Sequence, residues 1–447
     1  MVNITRKENC SGCGACADLC PVKAISLVAD REGFRYPAID AVLCTECGLC
    51  ERTCAELHIS QIRDSMAMKE PLVYAAVGKD SASRIASTSG GIFSELARNV
   101  LDHGGYICGA VYNDDFTVSH LVSKDSANLL RIRGSKHCQS DMSGIFKRLR
   151  SLLDAGEQVV ICAAPCQIAG LRLFLGKEYS NLTLVDFICL GINSPTIFRK
   201  YLGSLERKYG AKAVSVQAKN KDLGWHSLAY KIRFENGKEY LKLGKNDSFI
   251  QGFITAHVNC RPVCYECKYK GFPRISDITL GDFWGVEKLH PEFVDDLGTS
   301  VVLVNSTHGK EMLDSIADRL TMKEVSVTDV IAGNRALVDP VTWPTFDRDK
   351  FYAELETEPY EKIVRKYFMP KRGIAHTIVK TFRFAGYLIS QMGYVPKAYL
   401  QFIWINMLRK NSESDVKRLK CIFPFRHTVL AISKKAKLSI DGAVHLG

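Results

Sequence analysis

Cysteines whose spacing could hold metal are concentrated near the N-terminus. Four fall in the run from Cys10 to Cys20, and four more repeat that spacing from Cys44 to Cys54. Each run reads C-x2-C-x2-C-x3-C, and Pro21 follows the first. Thiolates at these intervals can wrap around an inorganic iron–sulfur core, and the glycines between them let the backbone pass close to it. Zinc takes four ligands in two pairs, so two runs of four do not favour a zinc module.

The spacing also predicts which thiolates share a cluster. In this arrangement the fourth cysteine of each run binds the cluster of the other run. We therefore expect two [4Fe–4S] clusters of crossed composition, as in a two-cluster ferredoxin. The expected ligands are Cys10, Cys13, Cys16 and Cys54 for the first cluster, and Cys20, Cys44, Cys47 and Cys50 for the second.

The overall composition is that of a globular protein with several domains. Of 447 residues, 46% are hydrophobic and 24% are charged, which is ordinary, whereas 17 cysteines are not. The first residues form no apolar leader, so we expect a reducing cytoplasm, free thiols and no disulfides. We predict a ferredoxin domain over residues 1–65, a second domain over 71–340 and a C-terminal extension over 341–447.

Strands and helices alternate in the second domain, which predicts an α/β fold. Within it, Ser89, Gly90 and Gly91 precede an amphipathic helix from about Ile92 to His103. Free amides at a helix N-terminus can cradle a phosphate, but the same turn can simply cap the helix. The residues alone leave both interpretations open.

A second set of cysteines lies in the α/β region. Cys166 and Cys189 each follow a predicted strand, and Cys264 and Cys267 form a pair in a loop that also carries Cys260. Strand ends meet at the carboxyl edge of an α/β sheet, where such folds place their sites. These thiols could close a third cubane, or they could be inert residues of the core.

Six motifs in register resemble a known family. They are SGGIFSELA, RGSK…QSD, APCQIAGLR, FICLG, CRPVCYEC and ISDITLGDFWG. Following a two-cluster ferredoxin, they resemble the coenzyme F-420 hydrogenase/dehydrogenase beta-subunit family, in particular bacterial members encoded beside polysaccharide-assembly genes. The resemblance covers roughly residues 1–340. It implies an α+β ferredoxin-like domain followed by an α/β flavin-binding domain and, here, a helical basic tail.

The resemblance also implies cofactor sites. An FAD would be held by the turn at Ser89, Gly90 and Gly91, with help from Ser135, Lys136 and Gln139. A third [4Fe–4S] cluster would be held by Cys166, Cys189, Cys264 and Cys267, with Cys260 as the main rival ligand. His226 and Trp284 are our candidates for lining the flavin or substrate pocket, and we identify no catalytic residue. The resemblance also implies the deazaflavin coenzyme F-420 as a cofactor, although many bacteria with such proteins lack it.

The function implied is an oxidoreductase that couples hydride chemistry at FAD to one-electron transfer through clusters, in the service of surface polysaccharide synthesis. Its partner would be a redox protein or a small-molecule substrate. The alternative is an electron-carrier protein that only docks to another oxidoreductase. No DNA-binding motif is present, so we expect no nucleic-acid partner.

The C-terminal extension is strongly basic. Residues 361–447 hold 17 Lys and Arg against 4 Asp and Glu, a net charge of +13, while the whole chain carries +12. Two predicted amphipathic helices there could pack on the core or bind an anionic membrane peripherally. The last residues resemble one coil of a left-handed β-helix, which would be either a chance pattern or the stub of an acyltransferase fusion.

Overall fold

The fold was analysed in a computed structural model of the chain. Residues 7–368 lie within the first compact unit of the chain. The structure describes residues 7–368. The predicted membrane-binding helices and the β-helix coil therefore lie outside the described residues. None of the helices within the described range is long and apolar enough to cross a bilayer.

Strands in the described part of the chain fall into three sheets. Their bounds are β1 Ile25–Ala29, β2 Arg35–Ile39, β3 Leu72–Gly78, β4 Tyr106–Tyr112, β5 Val118–Ser123, β6 Ser140–Asp141, β7 Val159–Cys162, β8 Leu182–Phe187, β9 Ala213–Asn220, β10 Ala229–Phe234, β11 Glu239–Lys242, β12 Ile278–Asp282, β13 Ser300–Val304 and β14 Leu320–Glu324. The sheets are the pair β1-β2, the three-stranded β11-β10-β9, and a nine-stranded sheet ordered β14-β3-β13-β12-β8-β7-β4-β5-β6.

Helices cover these sheets. Their bounds are α1 Ala15–Leu19, α2 Leu49–Arg52, α3 Ala55–Ser65, α4 Ser81–Ala86, α5 Ile92–Asp102, α6 Leu129–Ile132, α7 Ile145–Asp154, α8 Pro165–Leu175, α9 Pro195–Tyr209, α10 Ser248–Ile250, α11 Val286–Leu289, α12 Thr307–Asp314, α13 Val327–Gly333, α14 Arg348–Thr357 and α15 Tyr360–Ile363. The predicted α/β architecture is confirmed as a mixed fold built on one large sheet.

The N-terminal segment is a small α+β unit. Its hairpin pairs β1 with β2 antiparallel, with Ile25 opposite Ile39, as the alternating sequence predicts. Gly14 and Gly48 precede α1 and α2 with φ of 87° and 72°, a backbone conformation that favours glycine. Helix α3 begins directly after the last cysteine of the second run.

Several loops of the nine-stranded sheet lie at the same edge of that sheet. Strands β12, β8, β7 and β4 run parallel, and β13 runs antiparallel to β12. The carboxyl ends of β7, β8 and β12 therefore meet at the same edge, where β13 begins. Cys166, Cys189 and Trp284 follow these three ends. The Ser-Gly-Gly turn joins the same edge, because the N–H of Gly78, the last residue of β3, donates to the Gly90 carbonyl at 2.7 Å.

The three-stranded sheet packs with α9 and the last described helices around an aromatic core. Tyr201, Tyr230 and Phe249 are buried there together with Phe351 and Tyr360. Helices α14 and α15 fall within the predicted C-terminal extension, yet they contribute side chains to the core of the first unit.

Candidate iron–sulfur and flavin site

The first predicted ligand set surrounds one pocket. Cys10, Cys13, Cys16 and Cys54 line a cavity of about 400 Å³. Three of these thiols come from the loop around α1, and the fourth directly precedes α3. The structure therefore brings together the crossed set that the spacing predicts.

The second ligand set surrounds a separate pocket nearer the surface. Cys20, Cys44, Cys47 and Cys50 line a cavity of about 370 Å³. The backbone N–H of Ala24 donates to Cys20 Sγ at 3.3 Å. Cys47 is exposed to solvent, so this pocket is the one an external redox protein could approach.

The third set comes from three separate places in the fold. Cys166 lies in the first turn of α8, Cys189 follows β8, and Cys264 and Cys267 lie in and after a 3₁₀ turn. All four line one cavity of about 450 Å³. The backbone N–H of Ile192 donates to Cys264 Sγ at 3.4 Å. Cys260 is fully buried and lies outside this lining.

The chemistry of these donors fits clusters better than single ions. Within residues 7–368, no three His, Cys, Asp or Glu side chains converge closely enough to chelate one metal ion. Instead, four sulfurs surround each cavity, as a cubane requires. Burial raises the pKa of the Cys264 thiol to about 12 and that of Cys189 to about 11. Iron in the pocket would supply the positive charge that favours the thiolates.

The predicted flavin turn is held firmly on the sheet. The Ser89 hydroxyl donates to the Thr299 carbonyl at 2.8 Å, and the Gly90 N–H donates to Ser300 Oγ at 2.9 Å. Gly91 precedes α5 with φ of 87° and gives the helix no side-chain cap. Ser89 and Gly90 therefore make hydrogen bonds within the chain. The first backbone N–H groups of α5 are the groups that suit an anion.

Two cations that we did not predict lie beside this turn. Lys221 Nζ donates to the carbonyls of Ser89 at 2.9 Å and Arg84 at 2.6 Å. Burial lowers the pKa of Lys221 to about 8. Arg84 forms an ion pair with Asp295 at 2.7 Å. Neither residue carries a local sequence signal, because the contact depends on segments more than a hundred residues apart.

Lys136, which the motif resemblance assigns to the FAD site, makes hydrogen bonds to nearby backbone. Its Nζ donates to the carbonyls of Arg131, Ile132 and Arg133 at 2.6 to 2.8 Å, and so caps α6. Burial lowers the pKa of this ammonium to about 7. Ser135 forms an isolated bridge with Ala218 of β9.

His226 and Trp284 do come together. Trp284 stacks on Trp225 with ring centroids 5.0 Å apart, and His226 lies 5.9 Å from Trp284. Lys219 Nζ lies 6.0 Å from the Trp284 ring and pairs with Asp282. This aromatic group lies at the carboxyl edge of the sheet. Its role in holding a flavin stays a prediction.

Gln139 lies at the first cysteine pocket. Its Oε1 accepts from the Arg35 N–H at 3.2 Å and from Arg261 Nη1 at 3.1 Å, and its Nε2 donates to the Gly12 carbonyl at 3.4 Å. Gln139 thus contacts residues of the first cysteine pocket, whereas Lys136, three residues earlier in the same motif, contacts the end of α6.

Comparison with known families agrees with the motifs. Residues 9–56 match the model of the 4Fe-4S dicluster domain. Residues 156–329 match the model of the C terminus of the coenzyme F420 hydrogenase/dehydrogenase beta subunit. The predicted resemblance is therefore confirmed for the N-terminal cysteines and for most of the sheet domain.

Other comparisons are more distant. A chain in the xenon-derivatised F420-reducing [NiFe] hydrogenase complex from Methanosarcina barkeri is 18% identical, with a TM-score of 0.40. The similarity covers 67% of this chain and 92% of that one. None of the curated proteins compared with the chain matches it.

The dicluster segment and the beta-subunit domain share a wall. Ser11 lines both the first and the third cysteine pockets. Glu56 lines the first pocket and accepts a hydrogen bond of 2.8 Å from the hydroxyl of Tyr269, which lines the third. The two cavities are therefore separated by the thickness of a few side chains.

Proposed function

We propose that the chain is an iron–sulfur flavoprotein oxidoreductase with three [4Fe–4S] clusters and one FAD. The observation that carries this proposal is the third pocket, where Cys166, Cys189, Cys264 and Cys267 converge from separate elements. Its shared wall with the first pocket supports electron exchange between the dicluster segment and the sheet domain.

The protein's part in this chemistry is to bind, space and orient the cofactors. A [4Fe–4S] cluster exchanges single electrons and a flavin exchanges one or two, so together they link hydride chemistry to one-electron transfer. Twelve cysteines supply the thiolates for the clusters. Ser11, Glu56 and Tyr269 fix the spacing between the inner two pockets.

Support for FAD comes from the sheet edge. The uncapped N-terminus of α5 suits a pyrophosphate, whereas Lys221 beside it, like Lys136, already donates to three backbone carbonyls. Trp284, which is half-buried and stacks on the buried Trp225, offers an aromatic ring at the same edge of the sheet. We propose that a redox protein or small molecule is the partner and that the activity serves surface polysaccharide synthesis, as the motif resemblance implies.

The test is anaerobic purification with quantification of iron, sulfide and flavin. We expect about twelve irons per chain, because each cubane holds four, and about one FAD. Replacing Cys264 and Cys267 with alanine should remove about four irons. Cys138→Ala is the matched control, since Cys138 is also buried but lies in the aromatic core. About eight irons in the unmodified protein, unchanged by the paired substitution, would reject the third cluster.

A second candidate function is an electron carrier without a flavin. The solvent-exposed Cys47 favours it, because the second pocket is open to a docking protein. The absorbance spectrum of the same preparation separates the two proposals. A flavin band that persists after desalting supports the enzyme, and iron–sulfur absorbance alone supports the carrier.

A further inference from the structure

Arg261 is a buried cation in the loop that carries the third ligand set. Its side chain is fully enclosed, at 0% exposure. Among residues 7–368, no carboxylate forms an ion pair with its guanidinium within 4.0 Å, and the buried Glu56 carboxylate at the first cysteine pocket interacts with it only at longer range. Burying an unpaired charge is costly, so a structure that does so normally supplies an opposite charge nearby.

The guanidinium points at the first cysteine pocket. Its Nε donates to the Cys10 carbonyl at 2.8 Å, and its Nη2 donates to the Arg35 carbonyl at 2.9 Å and to Cys10 Sγ at 3.7 Å. On the other side it lies 4.1 Å from the centroid of the Tyr36 ring. The group is therefore fixed in direct contact with a predicted cluster ligand.

Two further residues secure this position. Gln139 accepts from Arg261 Nη1 at 3.1 Å, which orients the fork toward Cys10. Gly12 leaves the necessary space, because a Cβ there would lie 2.8 Å from Arg261 Nη1 and 2.5 Å from Gln139 Nε2. By contrast, no Arg or Lys from the described part of the chain lines the second cysteine pocket, which includes Glu46.

We infer that Arg261 raises the reduction potential of the cluster bound by Cys10, Cys13, Cys16 and Cys54, with Gln139 as a positioning residue. This inference rests on the first cluster of the proposed function. A cubane with four thiolates is an anion and gains one more negative charge on reduction. A fixed positive charge and a hydrogen bond to a ligand sulfur both stabilise the reduced form.

The loop that holds the third ligand set thereby also adjusts the first cluster. Arg261 stands three residues before Cys264 in the chain, so ligation of one cluster fixes the cation at the other. The backbone contributes to this link, because the Cys264 N–H donates to the Arg261 carbonyl at 2.9 Å.

The test is an EPR-monitored redox titration of the anaerobically purified full chain. Arg261→Gln should lower the reduction equilibrium constant of the first cluster about tenfold or more, which is about 59 mV for a one-electron couple. Arg261→Lys, which keeps the charge, should restore part of the shift. Arg148→Gln removes the same charge from the exposed face of α7 and should change nothing. Cys47→Ser assigns the second cluster's signal, which serves as the internal reference.

Outcomes separate this inference from the proposed function. Absence of iron from the unmodified protein would defeat the proposed function itself. Three intact clusters in Arg261→Gln, with the first cluster's potential unchanged, would overturn only the inference. Should that variant lose its clusters, the unmodified protein labelled with guanidino-¹⁵N-arginine decides the matter: ¹⁵N coupling to the first cluster supports the contact with Cys10, and no coupling contradicts it.

Discussion

His120 is buried and His137 is half-buried near the site edge of the sheet. The His120 ring is 7% exposed, and its Nε2 lies 3.4 Å from the Cys162 carbonyl. The ring of His137 lies against Tyr230, whose hydroxyl is 2.8 Å from its Nδ1. Burial lowers the pKa of His120 to about 4 and that of His137 to about 3. Both rings therefore stay neutral in the folded protein under mildly acidic conditions.

This burial predicts a loss of stability in acid. Between pH 6.5 and about 4, an unfolded histidine binds a proton that folded His120 does not. The free energy of unfolding should then fall as pH falls, by about 1.4 kcal/mol per pH unit for each such group. His120→Gln should reduce that slope. Urea midpoints at several pH values measure it, and the slopes above about pH 7 should coincide, since both states are then neutral. Equal slopes in acid would contradict the prediction.

For single residues, the role could be predicted where it follows from local spacing in the sequence. The eight N-terminal cysteines follow a rule of local separation, and their two pockets match it. Arg261 and Lys221 escaped prediction because their contacts join segments distant in sequence. The motif resemblance assigns Lys136 to the FAD site, and this stays a prediction; in the structure its ammonium donates to the four nearby carbonyls of residues 131–134.

Helix α8 connects two of the cysteine pockets. Cys166 lies in its first turn at the third pocket, and Gly170 lies one turn later against Cys13 of the first. A Cβ at position 170 would lie 2.8 Å from Cys13 Sγ. The helix can therefore serve both pockets only because this position lacks a side chain.

Gly170→Ala should displace Cys13 and lower iron occupancy of the first pocket. In most helices the same change stabilises the protein by about 0.5–1 kcal/mol, because alanine loses less backbone entropy. Gly203→Ala in α9 is the matched control, where the nearest atom would be Arg207 Nη1 at 3.7 Å. Iron analysis and thermal melting measure both effects. Full iron occupancy in Gly170→Ala would show that Cys13 adapts without cost.

Strands and helices were predictable where apolar residues recur at a regular interval in the sequence. The strands β7 and β8, which precede Cys166 and Cys189, and helix α5 appear where the sequence pattern predicts them. The pairing of β3 between β13 and β14 was not predictable, because strand order depends on contacts across more than two hundred residues. Nor did the sequence distinguish β9 to β11 as a separate sheet.

On the scale of the whole molecule, Arg348 connects three regions by hydrogen bonds. Its guanidinium donates to both Glu32 carboxylate oxygens at 2.7 to 2.9 Å and to the Cys260 carbonyl at 2.6 Å. Glu32 is 2% exposed and lies in the turn between β1 and β2. Helix α14 is thereby joined to the dicluster segment and to the loop before the third pocket.

Arg348→Met should destabilise the protein by about 3–5 kcal/mol, because it leaves the Glu32 carboxylate buried without a partner. Adding Glu32→Gln should recover much of the loss. Lys310→Met is the control: Lys310 pairs with Asp314 on the surface, where such pairs contribute about 1 kcal/mol or less. Denaturant midpoints compare the three variants. A double variant as unstable as Arg348→Met would mean that packing, not charge pairing, dominates there.

The contact between Arg348 and Glu32 can form only late in the synthesis of the chain. A ribosome delivers the chain from its N-terminus at about 5–20 residues per second. The eight cysteines of the first two pockets emerge well before Cys264, and Arg348 emerges after all twelve. Until Arg348 emerges, the Glu32 carboxylate cannot form this ion pair. All twelve predicted ligand cysteines are therefore present before Arg348 can pair with Glu32, so any cluster assembled at that stage would form while this contact is still open.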